Sequence, residues 1–291
     1  MKDPHESREV YIIGIGQTKF TKYRDKTAIE LGTIAAERAI KDAGIDPRKF
    51  EVAYASRIED ASQTSEDIMR HFGMENIECH NCENACASGG SAVRLLYKDI
   101  AYGIYDVGIA IGCESLTMSR VNGGLVPTAK GAFMDLLGLP APGSTAMTAQ
   151  RLIQTRGFSL EDIAYAAWKN HRAAVFNPYA HYRKELSLEE IVNSEMIASP
   201  TTKLMCCPQS DGAAAVILCT KEIAMQYTTK LVRMNCCEQM SGVYSTYDED
   251  FVLSGNVSVL AKRCYDLAGF GPDELSLLEI HDAYSAEEPT I

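Results

Sequence analysis

Between Cys79 and Gly90 the chain reads CHNCENACASGG, which puts three cysteines and a histidine into eight positions. Two chemistries fit those residue types. Cys79, Cys82 and Cys86 form a C-x2-C-x3-C run, with His80 as a possible fourth ligand, and zinc and iron–sulfur sites use such short spacings. Structural zinc sites usually bring a second ligand pair, however, and no other C-x2-C occurs in the chain. The remaining close pairs, Cys206-Cys207 and Cys236-Cys237, are adjacent residues, a poor geometry for two ligands of one ion. The second chemistry is nucleophilic. Cys86 stands where an extended segment meets the start of a helix, and a thiolate there faces the positive helix end and unpaired N–H groups. Ala87, Ser88, Gly89 and Gly90 are small enough to let a ligand approach, and the same N–H groups could stabilise an oxyanion. The other cysteines have a plainer use: Cys219 in a strand and Cys264 on a helix read as small buried hydrophobes, and Cys113 lies at a strand end.

The elements that must position these residues follow from apolar spacing. VYIIGIG, EVAYASRI, DVGIAIGCES and DGAAAVILCT are short apolar runs of strand type. TAIELGTIAAERAIKDAG is helical, with Gly44 as its stop, and TSEDIMRHFG is a short helix with Thr64 as cap candidate. In CASGGSAVRLLYKDIAYGIY, Val93, Leu96 and Ile100 recur at helical spacing. Strands alternating with helices imply an α/β layered fold with a largely parallel sheet. From Met118 to about Met205 the alternation lapses. VNGGLVPTAKGAFMDLLGLPAPGSTA reads as an elaborated loop, and two capping boxes, Ser159 with Asp162 and Ser187 with Glu190, each open a helix. The first of these helices is expected to end by Asn177-Pro178.

An internal repeat organises the whole. AERAIKDAGIDP (from Ala36) lies over AKRCYDLAGFGP (from Ala261), matching Ala36, Arg38, Ala43, Gly44 and Pro47 to Ala261, Arg263, Ala268, Gly269 and Pro272. LVRMNCC answers VYIIGIG ahead of the repeat, and LLEIH answers VAYAS after it, so a strand is expected at LLEIH. The implied organisation is a duplicated α/β unit: a first half over residues 1–228, with a loop subdomain at about 118–205 inserted, and the start of a second half over 229–291. The offset between the copies places the counterpart of Cys86 beyond Ile291, so the sequence is expected to be cropped from a longer protein.

Composition narrows the function. A formal net charge of −11 leaves no basic surplus for neutralising a nucleic acid. No apolar run reaches the length of a membrane span, and MKDPHESREV lacks the apolar stretch of a signal peptide. Ten cysteines without an export signal read as reduced thiols in a cytoplasmic protein.

Five ordered motifs carry a family resemblance. ENACASGGSA resembles the nucleophile motif of the thiolase superfamily, and GCESLTMS is similar to its Gly-Gly-Glu segment, with Cys113 in place of a glycine. KNHRAAVFNPYAHYR resembles the loop-domain helix, SDGAAAVIL a further family segment, and EIHDAYS the His-Asp motif of sterol-carrier-type and archaeal-type (acetyl-CoA acetyltransferase-like) thiolases. The resemblance implies duplicated mixed-sheet α/β halves in α-β-α-β-α layers with an inserted loop subdomain. It implies ping-pong acyl transfer between coenzyme A thioesters, with CoA as substrate, no permanently bound cofactor and no metal. Cys86 would be acylated by a 3-oxoacyl-CoA, and His281 would polarise the thioester oxygen where enolate charge develops. Ser88, Gly89, Glu114 and His171 would line the substrate pocket; on its residues alone, His171 is either a helix-surface side chain or a pocket wall. The family's activating His and Cys motifs near the C-terminus have no counterpart within these residues. A homodimer or tetramer is implied, or a heteromer with a small zinc-ribbon/OB-type subunit. The alternatives in function are a thiolase-like aldolase or condensing-enzyme subunit, and a non-catalytic assembly subunit.

Overall fold

A computed structural model describes residues 7–58, 62–118, 139–241 and 256–290. In chain order its elements are β1 (Val10–Gln17), α1 (Ala28–Ala43), β2 (Val52–Ser56), α2 (Thr64–His71), β3 (Glu78–Cys82), α3 (Ser88–Ala101) and β4 (Val107–Glu114). Next come α4 (Ala141–Arg156), α5 (Leu160–Ala174), α6 (Leu188–Val192), β5 (Met196–Ala198), β6 (Thr201–Thr202), β7 (Gly212–Thr220), α7 (Lys221–Tyr227), β8 (Val232–Met234) and α8 (Asn256–Ala268). They fall into two compact units, one drawn from Met1–Arg120, Gln209–Met240 and Arg263–Phe270, the other from Val121–Pro208, Ser241–Lys262 and Gly271–Ile291.

The first unit is built on a six-stranded sheet in the order β3-β2-β4-β7-β1-β8. β2 runs parallel to β3 and β4, whereas β7 is antiparallel to β4 and β1, and β8 is antiparallel to β1. The sheet is therefore mixed rather than largely parallel. The parallel pairs are the ones joined by helical crossovers. Both faces are covered. α1, α2 and α7 bury Leu31, Ala35, Ala39, Ile68, Met69 and Ala224 against one face. On the other, α3 buries Ala92, Leu96 and Ile100, spaced four apart, against Val52, Tyr54, Ala110 and Leu218. Each large side chain so buried contributes about 1.5–3 kcal/mol. This anchors the helix whose first turn follows Cys86.

The short helix α2 departs from its expected start. Thr64 is its first residue and Gln63 ahead of it is left-handed (φ 55°), so no side chain caps the helix from the N-cap position. The carbonyl oxygen of the Asn81 side chain on β3 instead accepts from the Ser65 N–H at 2.8 Å. A tertiary contact does the work of the missing cap.

In the second unit, α4, α5 and Ala286 share one small core, and Ala164, Leu186, Ile191 and Met205 form another. Both expected capping boxes are present, at Ser159 and Ser187. The expected loop at 121–146 lies largely outside the described residues; its last residues, from Ala141, open α4.

The two similar segments end alike in backbone geometry. α1 ends at left-handed Gly44 (φ 65°), whose N–H reaches the Ile40 carbonyl at 2.9 Å, and Gly269 (φ 78°) reaches Tyr265 at 2.9 Å after α8. A 3-10 turn follows each, at Pro47–Lys49 and Pro272–Glu274. The strand expected at LLEIH does not form. Leu277 and Leu278 are exposed, and among the described residues no neighbouring backbone pairs with this segment. A strand exists only through its ladder.

Candidate active site

After β3 the chain makes a tight turn into α3, and Cys86 sits exposed within it. Ala85 just before it is left-handed, with φ 46°, which costs a residue bearing a Cβ roughly 1–2 kcal/mol. Local hydrogen bonds hold the turn there. Ala87 N–H donates to the Asn84 carbonyl (2.9 Å) and Ser88 N–H to that of Ala85 (3.1 Å). The Ser88 hydroxyl closes the loop, donating to the Ala85 carbonyl at 2.6 Å and accepting from Asn84 N–H at 2.8 Å. Asn84 also ties forward through its amide to Ser91 Oγ (3.0 Å), to which Gln239 donates at 3.0 Å. Ser88 is thus a buried lock on the turn. The residue types around Cys86 did not single out Asn84 or Gln239.

No side chain caps α3, so the N–H groups of its first turn, which includes Gly89 and Gly90, have no intrahelical carbonyl to meet. A Cβ on either glycine would enter open space. Gly89 lies against the end of β4, its Cα 3.5 Å from the position a Cβ on Gly112 would take. Two residues on, Glu114 turns its carboxylate to backbone donors, accepting from Ile58 N–H (2.7 Å) and Ser115 N–H (3.2 Å). It fastens the loop after β2. Asp211 acts similarly and was not singled out from sequence: fully buried, it accepts from Tyr23 N–H at 2.7 Å and Thr117 N–H at 2.9 Å.

The metal-like spacing dissolves in the fold. Cys79 and Cys82 are three apart on a strand, so they face opposite sides of the sheet. Cys79 packs with the α1–α2 core and Cys82 with the α3 core. His80 stacks on Tyr54 at 4.9 Å and bonds Glu78 at 2.7 Å. No group of three or more His, Cys, Asp or Glu able to hold an ion occurs among the described residues. None of the ten cysteines forms a disulfide. Burial pushes several of them up: Cys113, Cys219 and Cys236 to about 12, Cys206 and Cys237 to about 11. Cys219 is the buried small hydrophobe expected, but Cys264 is only half-buried, and the Cys236 thiol donates to its carbonyl at 3.6 Å. The helix that carries Cys264 does not turn that side chain fully inward.

His171 and His281 belong to the second unit. His171, on α5, stacks on Tyr182 at 6.1 Å; its Nδ1 is buried without a partner, and burial lowers its basicity. His281 is exposed at the head of a turn stitched to its neighbours. Cys207 N–H donates to the Ala283 carbonyl (2.8 Å), Ser285 N–H to that of Met205 (2.9 Å), and the Asn170 amide to Asp282 at 2.5 Å.

The family model for the N-terminal domain of thiolase matches residues 10–222. Benzoylsuccinyl-CoA thiolase subunit BbsB of Thauera aromatica is 35% identical over 97% of this chain and 74% of its own length. Acetyl-CoA acetyltransferase of Methanothermobacter thermautotrophicus is 33% identical over 96% of this chain and 74% of its own. Among solved structures, the Ltp2-ChsH2(DUF35) aldolase superposes with a TM-score of 0.82 at 22% identity, covering 96% of this chain and 74% of that one. The architecture is the thiolase fold, α/β with a mixed sheet. The chain belongs to the thiolase family. It is an acyltransferase. Among the described residues no helix is long and apolar enough to cross a membrane.

Proposed function

We propose that this protein transfers acyl groups between 3-oxoacyl-CoA and coenzyme A through an acyl-Cys86 intermediate. The observation that carries this is the exposed Cys86 on a strained, hydrogen-bonded turn at the uncapped start of α3. Support for CoA thioesters comes from the names of two relatives above 30% identity, a benzoylsuccinyl-CoA thiolase subunit and an acetyl-CoA acetyltransferase. The Cys86 thiolate attacks the 3-keto carbon, and the C2–C3 bond breaks. Its electron pair leaves as the enolate of the shorter acyl-CoA, which takes up a proton. The thiolate of free CoA then attacks the acyl-Cys86 thioester and returns the Cys86 thiolate. Run backwards, the same steps are a Claisen condensation. His281 donates a hydrogen bond to the enolate oxygen, and first-turn N–H groups of α3 steady the oxyanion formed on the acyl carbon. CoA is a substrate, and no cofactor or metal is resident. The duplicated halves meet near residue 228.

Acid quenching within a turnover of 3-oxoacyl-CoA, followed by peptide mass mapping, should find the acyl mass on the peptide containing Cys86. The acyl group on another cysteine, or on none while turnover proceeds, would refute the proposal.

A second reading is favoured by one word in a relative's name, subunit. The protein would then work beside a small zinc-ribbon/OB-type partner, with aldol or condensing chemistry as the alternative use of the same residues. With Cys79 and Cys82 on opposite faces of the sheet, this chain purified alone is expected to hold less than about 0.1 equivalent of zinc after chelator treatment. Elemental analysis checks this. Zinc that appears only with a co-purifying subunit favours the heteromer, and one equivalent held by this chain would overturn the metal-free assignment.

A further inference from the structure

We propose that Asn170 is a positioning residue for His281, acting through its hydrogen bond to Asp282; the inference rests on the role of His281 proposed above. His281 opens a turn closed internally by Glu287 N–H to the Tyr284 carbonyl (2.9 Å) and Thr290 N–H to that of Glu287 (3.0 Å). Two consecutive residues of α5 grip this turn from outside. Asn170 donates from its amide to Asp282 Oδ2 at 2.5 Å, and the Lys169 ammonium pairs with Glu288. The Asn170–Asp282 bond is a side-chain contact one residue from the imidazole. The main-chain bonds at Ala283 and Ser285 hold the rest of the turn whether or not Asn170 is present.

The choice of an amide has a chemical reason. Asp282 is half-buried, and burial together with the nearby Glu288 carboxylate pushes it up. A neutral donor fixes its carboxylate in direction without adding a cation beside the histidine. Lys169, which does carry charge, pairs with Glu288. The grip is specific in place: α5 is itself held by its capping box at Ser159 and by burial of Ile163, Ala164 and Ala166. A rigid helix therefore fixes the backbone from which the imidazole projects.

Misplacing a hydrogen-bond donor by about 1 Å can cost on the order of a hundredfold in rate. In the intact enzyme, Asn170→Ala should lower the ratio of thiolysis to acyl exchange between CoA species by between about tenfold and a hundredfold. A merely structural role would lower both reactions together and leave that ratio unchanged. In an H281A background the same substitution should change the ratio by less than about twofold, because the two residues act as one. The swapped pair, Asn170→Asp with Asp282→Asn, restores a hydrogen bond of reversed polarity and should bring the ratio back to within about threefold of the parent. Thermal unfolding of each variant separates loss of fold from loss of position, and the swapped pair supplies the test if Asn170→Ala unfolds. A selective loss in H281A with none in N170A overturns the positioning role alone, as does a swapped pair no better than N170A. No selective loss in H281A overturns the reading of His281, and this inference with it.

Discussion

Replacing Cys86 with alanine should lower acyl transfer by at least about 10⁴-fold while leaving the protein folded, the scale seen when a covalent nucleophile is removed. No neighbouring thiol can take over. Cys79 and Cys82 belong to the two faces of the sheet, and burial holds both of their protons more tightly. Cys113, Cys219 and Cys236, pushed up to about 12, keep roughly one part in 10⁴ as thiolate at pH 8. The turn itself does not depend on the thiol: its bonds run through Asn84, Ala85, Ala87 and Ser88. In the parent protein, brief substoichiometric iodoacetamide should therefore label Cys86 first, and acyl-CoA should protect it. Peptide mapping reads both outcomes. Faster, unprotected labelling of Cys206 or Cys207, or an alanine variant that keeps more than about a hundredth of the activity, would remove Cys86 from the mechanism.

His281→Ala should act on a different step. Cleavage of a 3-oxoacyl thioester puts negative charge on the oxygen of the departing acyl-CoA, and a donor aimed there strengthens its bond in the transition state. Loss of one such donor typically costs about 2.7–4 kcal/mol, on the order of a hundredfold to a thousandfold in rate. Acylation of Cys86 by a simple acyl-CoA forms no enolate. Thiolysis should thus fall by that factor, and acyl exchange by less than about tenfold. Steady-state thiolysis and isotope exchange between CoA species measure the two rates. Equal loss of both would make His281 the activator of Cys86, and loss of neither would make it structural.

Much of the fold was legible because it rests on local rules. The apolar runs of β1, β2, β4 and β7, the stripe of α3, both capping boxes and the left-handed glycines that end α1 and α8 depend on residues within one or two turns of each other. The elements misread were those decided from a distance. Thr64 did not cap α2 because Asn81, on a neighbouring strand, satisfies the Ser65 N–H. LLEIH had strand composition, but no backbone among the described residues pairs with it, and its leucines stay exposed.

The family and the nucleophile candidate were readable from the chain alone. Their signals are short strings of residue types whose chemistry and backbone preference hold wherever the string folds. What those residues do to one another depends on packing. C-x2-C on a helix or loop could gather an ion; on β3 the strand's two-residue period sends its thiols to opposite faces. Ser88 and Glu114, expected in the pocket from the resemblance, also tie down backbone, because donors lie within their reach once the turn and β4 are formed. Asn170 and Asp282, far apart in sequence, meet because α5 packs beside the turn that His281 opens. Contacts between residues distant along the chain depend on packing, and no local pattern of residue types encodes them.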